Sequence, residues 1–168
     1  GLLPQGAVDL DPDAIKTEMI PEFAQIAAAG DSRGAAVTHE ESSVLSKAIF
    51  KRAMDGGHDI IFDRTMAELE KGLKLMEDAV AAGYEVEMHA VMIDARMAAV
   101  QAMDRAQHTY RYVPSSAFLK AHKGIAAYLD TYIESGLLSN AVVWDNRAAT
   151  IPIATLDASG YNIHDIEA

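Results

Sequence analysis

The sequence predicts an α/β fold built around a parallel β-sheet. Short apolar runs that end in polar or acidic residues alternate with longer segments whose apolar residues recur at helical spacing. Half of the 168 residues are hydrophobic, so the chain can bury a core of its own. Its length is close to the roughly 150 residues of one domain. We therefore expect residues 1–168 to form a single domain.

Composition excludes several classes of function. The chain has 14 basic and 25 acidic residues, a net charge of −11, whereas binding to a nucleic-acid backbone requires a basic surface. It has no cysteine, which excludes disulfides, thiolate metal sites and cysteine nucleophiles. No apolar run approaches the roughly 18 residues of a membrane span, and no secretory signal opens the sequence. We expect a cytoplasmic protein that contacts neither nucleic acid nor membrane.

Five segments are predicted as strands. Four of them are short apolar or β-branched runs that end in a polar or acidic residue, as buried strands of a parallel sheet do: residues 7–11, 59–63, 86–93 and 141–145. Residues 151–156 form a weaker last strand, which we place at an edge of the sheet because Pro152 lacks a backbone donor.

Four helices are predicted between and beside these strands, at residues 41–54, 66–82, 94–107 and 115–135. The second and fourth stop at Gly83 and Gly136, in the position where glycine ends many helices. Pro12 is expected to open a further helix after the first strand. The Ala-rich residues 26–36 are predicted as a flexible connector or lid.

The first candidate site follows the first strand. Asp9, Asp11 and Asp13 are three carboxylates at alternate positions, and ligands of open α/β sheets bind beyond the carboxyl ends of strands. Three interpretations remain open: a helix cap made by Asp11 or Asp13, a general base for proton or phosphoryl transfer, or the nucleophile of a phosphohydrolase.

Other polar positions add to this pattern. Asp63 and Thr65 close the second predicted strand, and the segment 38–43 precedes a helix in the manner of an N-terminal cap. Arg105 and Arg111 are spaced across a helix end and loop, as a phosphate clamp requires; the alternative is two surface arginines paired with nearby carboxylates. The six histidines show no close pairing typical of a metal site.

The order of these motifs resembles the zeta toxin family of P-loop kinases, from about residue 7 to residue 146. The resemblance rests on Asp-x-Asp after a strand, on Asp-x-Thr at the next strand end and on the spaced arginine pair. It implies a three-layer P-loop-kinase-like fold, in which a parallel sheet is flanked by helices. It also implies phosphorylation of a small-molecule hydroxyl with ATP or GTP and Mg²⁺. In the toxins the acceptor is UDP-N-acetylglucosamine, a nucleotide sugar.

The resemblance also implies roles for individual residues. Asp11 would be the base that takes the proton of the acceptor hydroxyl, and Arg105 and Arg111 would embrace the transferring phosphate. The other residues that the resemblance implies would bind the acceptor: Asp9, Glu40, Glu41, Ser42, Ser43, Asp63 and Thr65. Asp63 could also contact Mg²⁺. No other metal ligand is expected from this chain.

One part of such a kinase is missing from the sequence. A P-loop (Walker A) reads Gly-x-x-x-x-Gly-Lys-Ser/Thr, and the chain contains no Gly-Lys dipeptide. Because the loop and its strand precede Asp-x-Asp in the family, we expect a chain truncated at its N-terminus that lacks a central strand. Such a chain would hold no ATP or GTP tightly and would be inactive alone.

A missing central strand has a structural consequence, because unpaired strand edges tend to find a partner. We expect either direct closure between the second and third predicted strands or complementation by another chain. The candidates are the missing segment, an antitoxin-like protein, or a second copy in a symmetric or swapped dimer. Two other functions stay open: a degenerate kinase fold that serves as a binding or scaffold domain, and a Mg²⁺-dependent phosphohydrolase that uses Asp9 or Asp11.

Overall fold

The computed structural model describes residues 5–31, 33–109, 112–147 and 150–164. The chain divides into two compact units. Unit 1 comprises residues 1–65 and 100–118, and unit 2 comprises residues 66–99 and 119–168. Among the described helices, none is both long and apolar enough to cross a membrane.

Among the described residues, unit 1 contains a parallel strand pair and four complete helices. The elements are β1 (Val8–Leu10), α1 (Pro12–Met19), α2 (Pro21–Ala28), α3 (Gly34–Val37), α4 (His39–Asp55) and β2 (Ile60–Phe62). Helix α4 packs against α1 and against both strands. Leu10, Ile15, Ile20 and Phe23 are buried, so the core of this unit lies between the first strand and the helices that follow it.

The sequence explains where the first two helices begin and end. Asp11 caps α1 and Pro12 opens it, as predicted. Helix α1 ends before Pro21 because the residue preceding a proline is driven out of helical geometry, and Ile20 is extended at φ −115° and ψ 96°. The predicted lid over residues 26–36 is wrong at both ends, which lie in α2 and α3, because alanine strongly favours helix.

Unit 2 contains a four-stranded sheet. Its elements are α5 (Leu69–Ala81), β3 (Glu87–Met92), β4 (Asn140–Asp145), β5 (Ile151–Asp157) and β6 (Gly160–Ile163), while α6 (Ala95–Thr109) and α7 (Ser115–Glu134) each run from one unit into the other. The strand order is β3-β4-β5-β6. Strands β3 and β4 are parallel, and the other two pairings are antiparallel.

The core of unit 2 lies on one face of this sheet. Ala90, Ala141, Val143 and Ala154 are buried there together with Ile133 of α7. Elsewhere in the unit Tyr132 is fully buried, and its hydroxyl donates to the carbonyl oxygens of Met66 and Glu68, both at 3.2 Å. Glycine is required beside this ring, because a Cβ on Gly72 would lie 2.3 Å from the Tyr132 oxygen.

The parallel part of the sheet was predicted correctly, but its edge was not. Strand β5 pairs with β4 on one side and with β6 on the other, so it is not an edge strand. Pro152 is accommodated because it lies opposite Trp144, where the register of β4 and β5 shifts, and before the residues that pair with β6. Strand β6 itself carries no alternation strong enough to predict from the sequence.

The described strands form one sheet in each unit, β1-β2 in unit 1 and β3-β4-β5-β6 in unit 2. Closure between β2 and β3 and complementation by another chain both stay predictions.

Candidate functional site

The acidic residues of unit 1 follow two neighbouring parallel strands. Leu10 pairs with Phe62, and the N–H of Asp63 donates to the carbonyl oxygen of Leu10 at 3.2 Å. Asp11 and Asp63 are thus the first residues beyond β1 and β2, at the same edge of this sheet. Phe50 of α4 supports that edge, since its ring lies 5.2 Å from the ring of Phe62. The edge is the location where open α/β sheets bind ligands.

Asp11 is held in place by the helix that it caps. Its Oδ1 accepts a hydrogen bond from the N–H of Asp13 at 2.8 Å, which confirms the capping interpretation. Within the described residues nothing hydrogen-bonds to its second oxygen, Oδ2. A cap and a general base are therefore compatible, because each uses a different oxygen of the same carboxylate.

A buried lysine lies beside this cap. Lys16 is 6 % exposed and its Nζ donates to Oδ1 of Asp13 at 3.2 Å. Lys16 was not predicted as a neighbour of the acids, although its position three residues after Asp13 is the spacing of an ion pair on one helix face. It places a positive charge next to a group of carboxylates that would otherwise repel one another.

The neighbouring charges change the pKa of Asp63. It is exposed at the surface, yet burial by the surrounding protein raises its pKa, and the carboxylates of Asp11, Asp13 and Asp9 raise that pKa further. Arg105 acts in the opposite direction and lowers it. Asp9, Asp11 and Arg105 therefore lie within electrostatic reach of Asp63. A carboxyl group perturbed in this way is typical of functional sites.

The arginine pair is placed only in part. Arg105 lies on α6 and is exposed, within electrostatic reach of Asp63. Arg111 lies outside the described residues. A third arginine, Arg64, was predicted only as the middle residue of Asp-x-Thr, and its guanidinium lies 5.0 Å over the ring of Phe62.

The segment 40–43 forms the first turns of α4. Glu40 and Glu41 are exposed in the first turn, where negative charge favours the helix dipole. Ser43 is half-buried, whereas Ser42 is 1 % exposed and donates to the carbonyl oxygen of His39 at 2.9 Å. Solvent thus reaches the two glutamates and Ser43. Thr65, beyond β2, is also exposed.

Unit 2 has a strand end of a different kind. Asp145 closes β4 with a side chain only 11 % exposed, and it accepts from the backbone N–H of Arg147 at 2.9 Å and from its Nε at 2.8 Å. These hydrogen bonds hold the pKa of Asp145 below its usual range. A cavity of about 310 Å³ lies here, lined by Met92, Ile93, Asp94, Asp145, Arg147 and Ile153.

The described residues do not by themselves form a triphosphate–metal site. No Walker A motif occurs in the sequence. In residues 5–31, 33–109, 112–147 and 150–164, no three His, Asp or Glu side chains are grouped so that they could hold a metal ion. Asp9, Asp11 and Asp13 are close enough to raise the pKa of Asp63 without forming such a ligand set.

Comparisons with solved structures concern the fold of the chain. The chain is similar to chains in two crystal structures of the AvrRxo1-ORF1:AvrRxo1-ORF2 complex, one with sulphate ions (15 % identity, TM-score 0.68) and one with ATP (16 % identity, TM-score 0.65). Each match covers 92 % of this chain and 49 % of the other. This chain therefore spans about half the length of those chains, and the likeness shows the fold, which is that of a P-loop-kinase-like α/β protein.

No curated protein sequence matches the chain. The sequence model of the family described as Zeta toxin, however, matches residues 3–154, which include every predicted site residue. Given this match over most of its length, the chain belongs to the zeta toxin family.

Proposed function

We propose that this chain is the acceptor-binding part of a phosphotransferase that phosphorylates a hydroxyl group of a small molecule. The observation that carries the proposal is the convergence of Asp11, Asp63 and Arg105 at the carboxyl edge of β1 and β2. A kinase requires a group that takes the acceptor proton and cations that neutralise the phosphate, and both types are present there.

In this proposal Asp11 is the general base. The N–H of Asp13 fixes Oδ1, so the carboxylate has one orientation and Oδ2 remains available. Oδ2 would take the proton that the acceptor hydroxyl loses during phosphoryl transfer. Positioning of this kind is the main contribution that a protein makes to phosphoryl transfer.

Arg105, with Arg111, would neutralise the transferring phosphate. Guanidinium groups suit this role because they donate two parallel hydrogen bonds to phosphate oxygens. The acceptor would be bound by Asp63 and Thr65, by Asp9, and by the α4 segment that contains Glu40, Glu41, Ser42 and Ser43. Ser42 is buried, so its contribution would be to hold that segment in place.

We further propose UDP-N-acetylglucosamine as the acceptor and ATP or GTP with Mg²⁺ as the phosphate source. The residues of this chain do not fit a nucleotide triphosphate, so we assign no step to it. The phosphate-binding loop would come from polypeptide outside these 168 residues, and this chain alone would transfer no phosphoryl group. The chains of similar fold were crystallised in a two-protein complex, and we propose a comparable antitoxin-like partner in the cytoplasm.

Calorimetric titration tests this division of labour. UDP-N-acetylglucosamine should bind to the chain, whereas ATP with Mg²⁺ should not. Asp63→Asn should weaken acceptor binding by about tenfold or more through the loss of a charge-assisted hydrogen bond. Asp55→Asn, which removes an exposed carboxylate from the last turn of α4, is the matched control and should bind as the wild type does.

Other outcomes distinguish the rival functions. If neither the chain nor a mixture with a Walker A polypeptide binds nucleotide or sugar nucleotide, the scaffold alternative replaces the kinase. Hydrolysis of p-nitrophenyl phosphate that is lost in Asp9→Asn would instead show a phosphohydrolase.

Two substitutions of Asp11 separate its cap from its chemistry. Asn caps helices about as well as Asp, so Asp11→Asn should keep the stability of the fold, whereas Asp11→Ala should lose about 0.5–2 kcal/mol. When the Walker A segment is supplied as a second polypeptide, Asp11→Asn should still lower the transfer rate about 10²–10⁴-fold. Full activity of Asp11→Asn would show that Asp11 is a cap only.

A further inference from the structure

The outer edge of β6 presents unpaired backbone groups. Among the described residues no strand pairs with that edge. The N–H of His164 donates to the carbonyl oxygen of Ile153 at 2.9 Å, and this fixes which residues bond towards β5. In an antiparallel ladder every second residue bonds inward, so the N–H and C=O groups of Tyr161 and Ile163 point outward to the open edge.

Strand β6 lacks the features that usually protect an edge. Its sequence, Gly-Tyr-Asn-Ile, contains no charged residue and no proline. Ile163 is 77 % exposed and Tyr161 is 48 % exposed. Because these two residues are two positions apart, their side chains lie on the same face, next to the outward backbone groups. The edge therefore offers both hydrogen bonds and apolar surface.

We infer that β6 pairs with β6 of a second copy of this chain, antiparallel and centred on Asn162. A two-fold axis beside Asn162 places Tyr161 of each copy opposite Ile163 of the other. Each of these two pairs then exchanges both of its backbone hydrogen bonds. The result is a symmetric dimer in which two four-stranded sheets become one continuous sheet.

A second copy fits this edge better than a charged partner does. The chain carries a net charge of −11, so two copies repel at long range. The uncharged strand β6 is a place where they can meet without bringing like charges into contact. Strand β6 is only four residues long, so the contact should be small. The dimer should therefore be weak, form as the protein concentration rises, and strengthen with added salt.

Cysteine cross-linking tests the register. The chain has no cysteine, so Asn162→Cys introduces one thiol per copy. In the inferred register Asn162 lies opposite Asn162 of the other copy as a non-hydrogen-bonded pair, and the Cβ atoms of such a pair are about 4.5–5.5 Å apart. A small movement of the two strands brings this distance to that of a disulfide. Mild oxidation should link Asn162→Cys into dimers. Ser159→Cys, in the exposed hairpin turn, is the control and should remain largely monomeric. Equal cross-linking of the two variants, or none in either, would overturn the inference.

Sedimentation velocity over a range of protein concentrations tests the contact without a covalent bond. Ile163→Pro removes an N–H that the β5–β6 hairpin does not use, so the fold should persist while dimerisation weakens about tenfold or more. Fluorescence of Trp144, the only tryptophan, checks that unit 2 remains folded.

Two lysine substitutions, one on β6 and one away from it, form a matched test and control. Ile163→Lys should abolish association, whereas Val44→Lys, at a residue of α4 that is 61 % exposed, should associate as the wild type does. A wild type that stays monomeric at every concentration would contradict the inference. So would association that survives Ile163→Pro, since the contact would then lie elsewhere.

Discussion

Asp63 in unit 1 and Asp145 in unit 2 occupy equivalent places and behave in opposite ways. Each lies at the carboxyl end of a strand that belongs to a parallel pair. Hydrogen bonds from Arg147 lower the pKa of Asp145. Burial and the neighbouring carboxylates raise the pKa of Asp63. Asp145 has its own cation two residues away, whereas the neighbours of Asp63 are mainly other acids.

This difference shows that an apolar strand followed by Asp does not by itself indicate function. In Asp145-x-Arg147 the partner is supplied locally, so the carboxylate is neutralised and contributes to the structure. In Asp63-x-Thr65 no such partner follows, and the charge remains available to a ligand. The comparison therefore predicts that the two strand ends respond differently to mutation and to pH.

The largest loss of stability should come from substituting the buried residue that packs beneath the strand end at Asp63. Leu10 is 1 % exposed and its carbonyl oxygen accepts the N–H of Asp63. Leu10→Ala should lower the free energy of unfolding by about 2–5 kcal/mol because it leaves a cavity in unit 1. Urea denaturation followed by circular dichroism measures this loss. Val44→Ala, at an exposed position of the same unit, should change stability by less than about 0.5 kcal/mol.

The second-largest loss of stability is expected when the cation that pairs with Asp145 is removed. Arg147→Met leaves a buried carboxylate without its cation, so the protein should be clearly less stable at pH 7. Because the pKa of Asp145 is lowered in the native state, this stabilisation is present above the usual aspartate pKa. It is lost as the pH falls through the lowered value. Unfolding of wild type and variant should therefore converge in acid.

A second pair in the molecule provides the control. Asp31 and Arg33 have the same spacing, and the N–H and Nε of Arg33 both donate to Oδ1 of Asp31 at 2.9 Å. The Asp31 side chain is 32 % exposed, against 11 % for Asp145. Arg33→Met should therefore cost less stability than Arg147→Met, because exposed ion pairs contribute little. Equal losses would show that burial of Asp145 is not the cause.

The smallest effect has the opposite sign. Because folding raises the pKa of Asp63, the ionised carboxylate lowers the free energy of unfolding. This penalty is fully present at any pH above the raised pKa. The penalty disappears as the pH falls towards the usual value of 3.8. Asp63→Asn should thus make the protein modestly more stable at pH 7 and have no such effect in strong acid. Asp55→Asn, at an exposed residue of α4, is the control. A loss of stability in Asp63→Asn at pH 7 would contradict the electrostatic account of the site.

Local patterns were enough to predict most elements of the fold. Strands β1 to β4 and helices α4 to α7 are short-range features that apolar periodicity and helix-ending glycines indicate. Strand β6 was missed, and β5 was placed at an edge, because strand pairing joins residues that are distant from any local signal. The position of Pro152 beside a register shift is a property of the pair of strands and not of one strand.

The sequence by itself determined the family, the alternation of strands and helices, and the acids that follow β1 and β2. Spacing along the chain carries this information, because side-chain period and strand ends are local properties. Only the tertiary structure decided what each charge meets: Asp63 faces three carboxylates and Arg105, Asp145 is paired with Arg147, and Lys16 is buried beside Asp13. Electrostatic energy depends on distance and burial in space, and neither can be read from the order of residues.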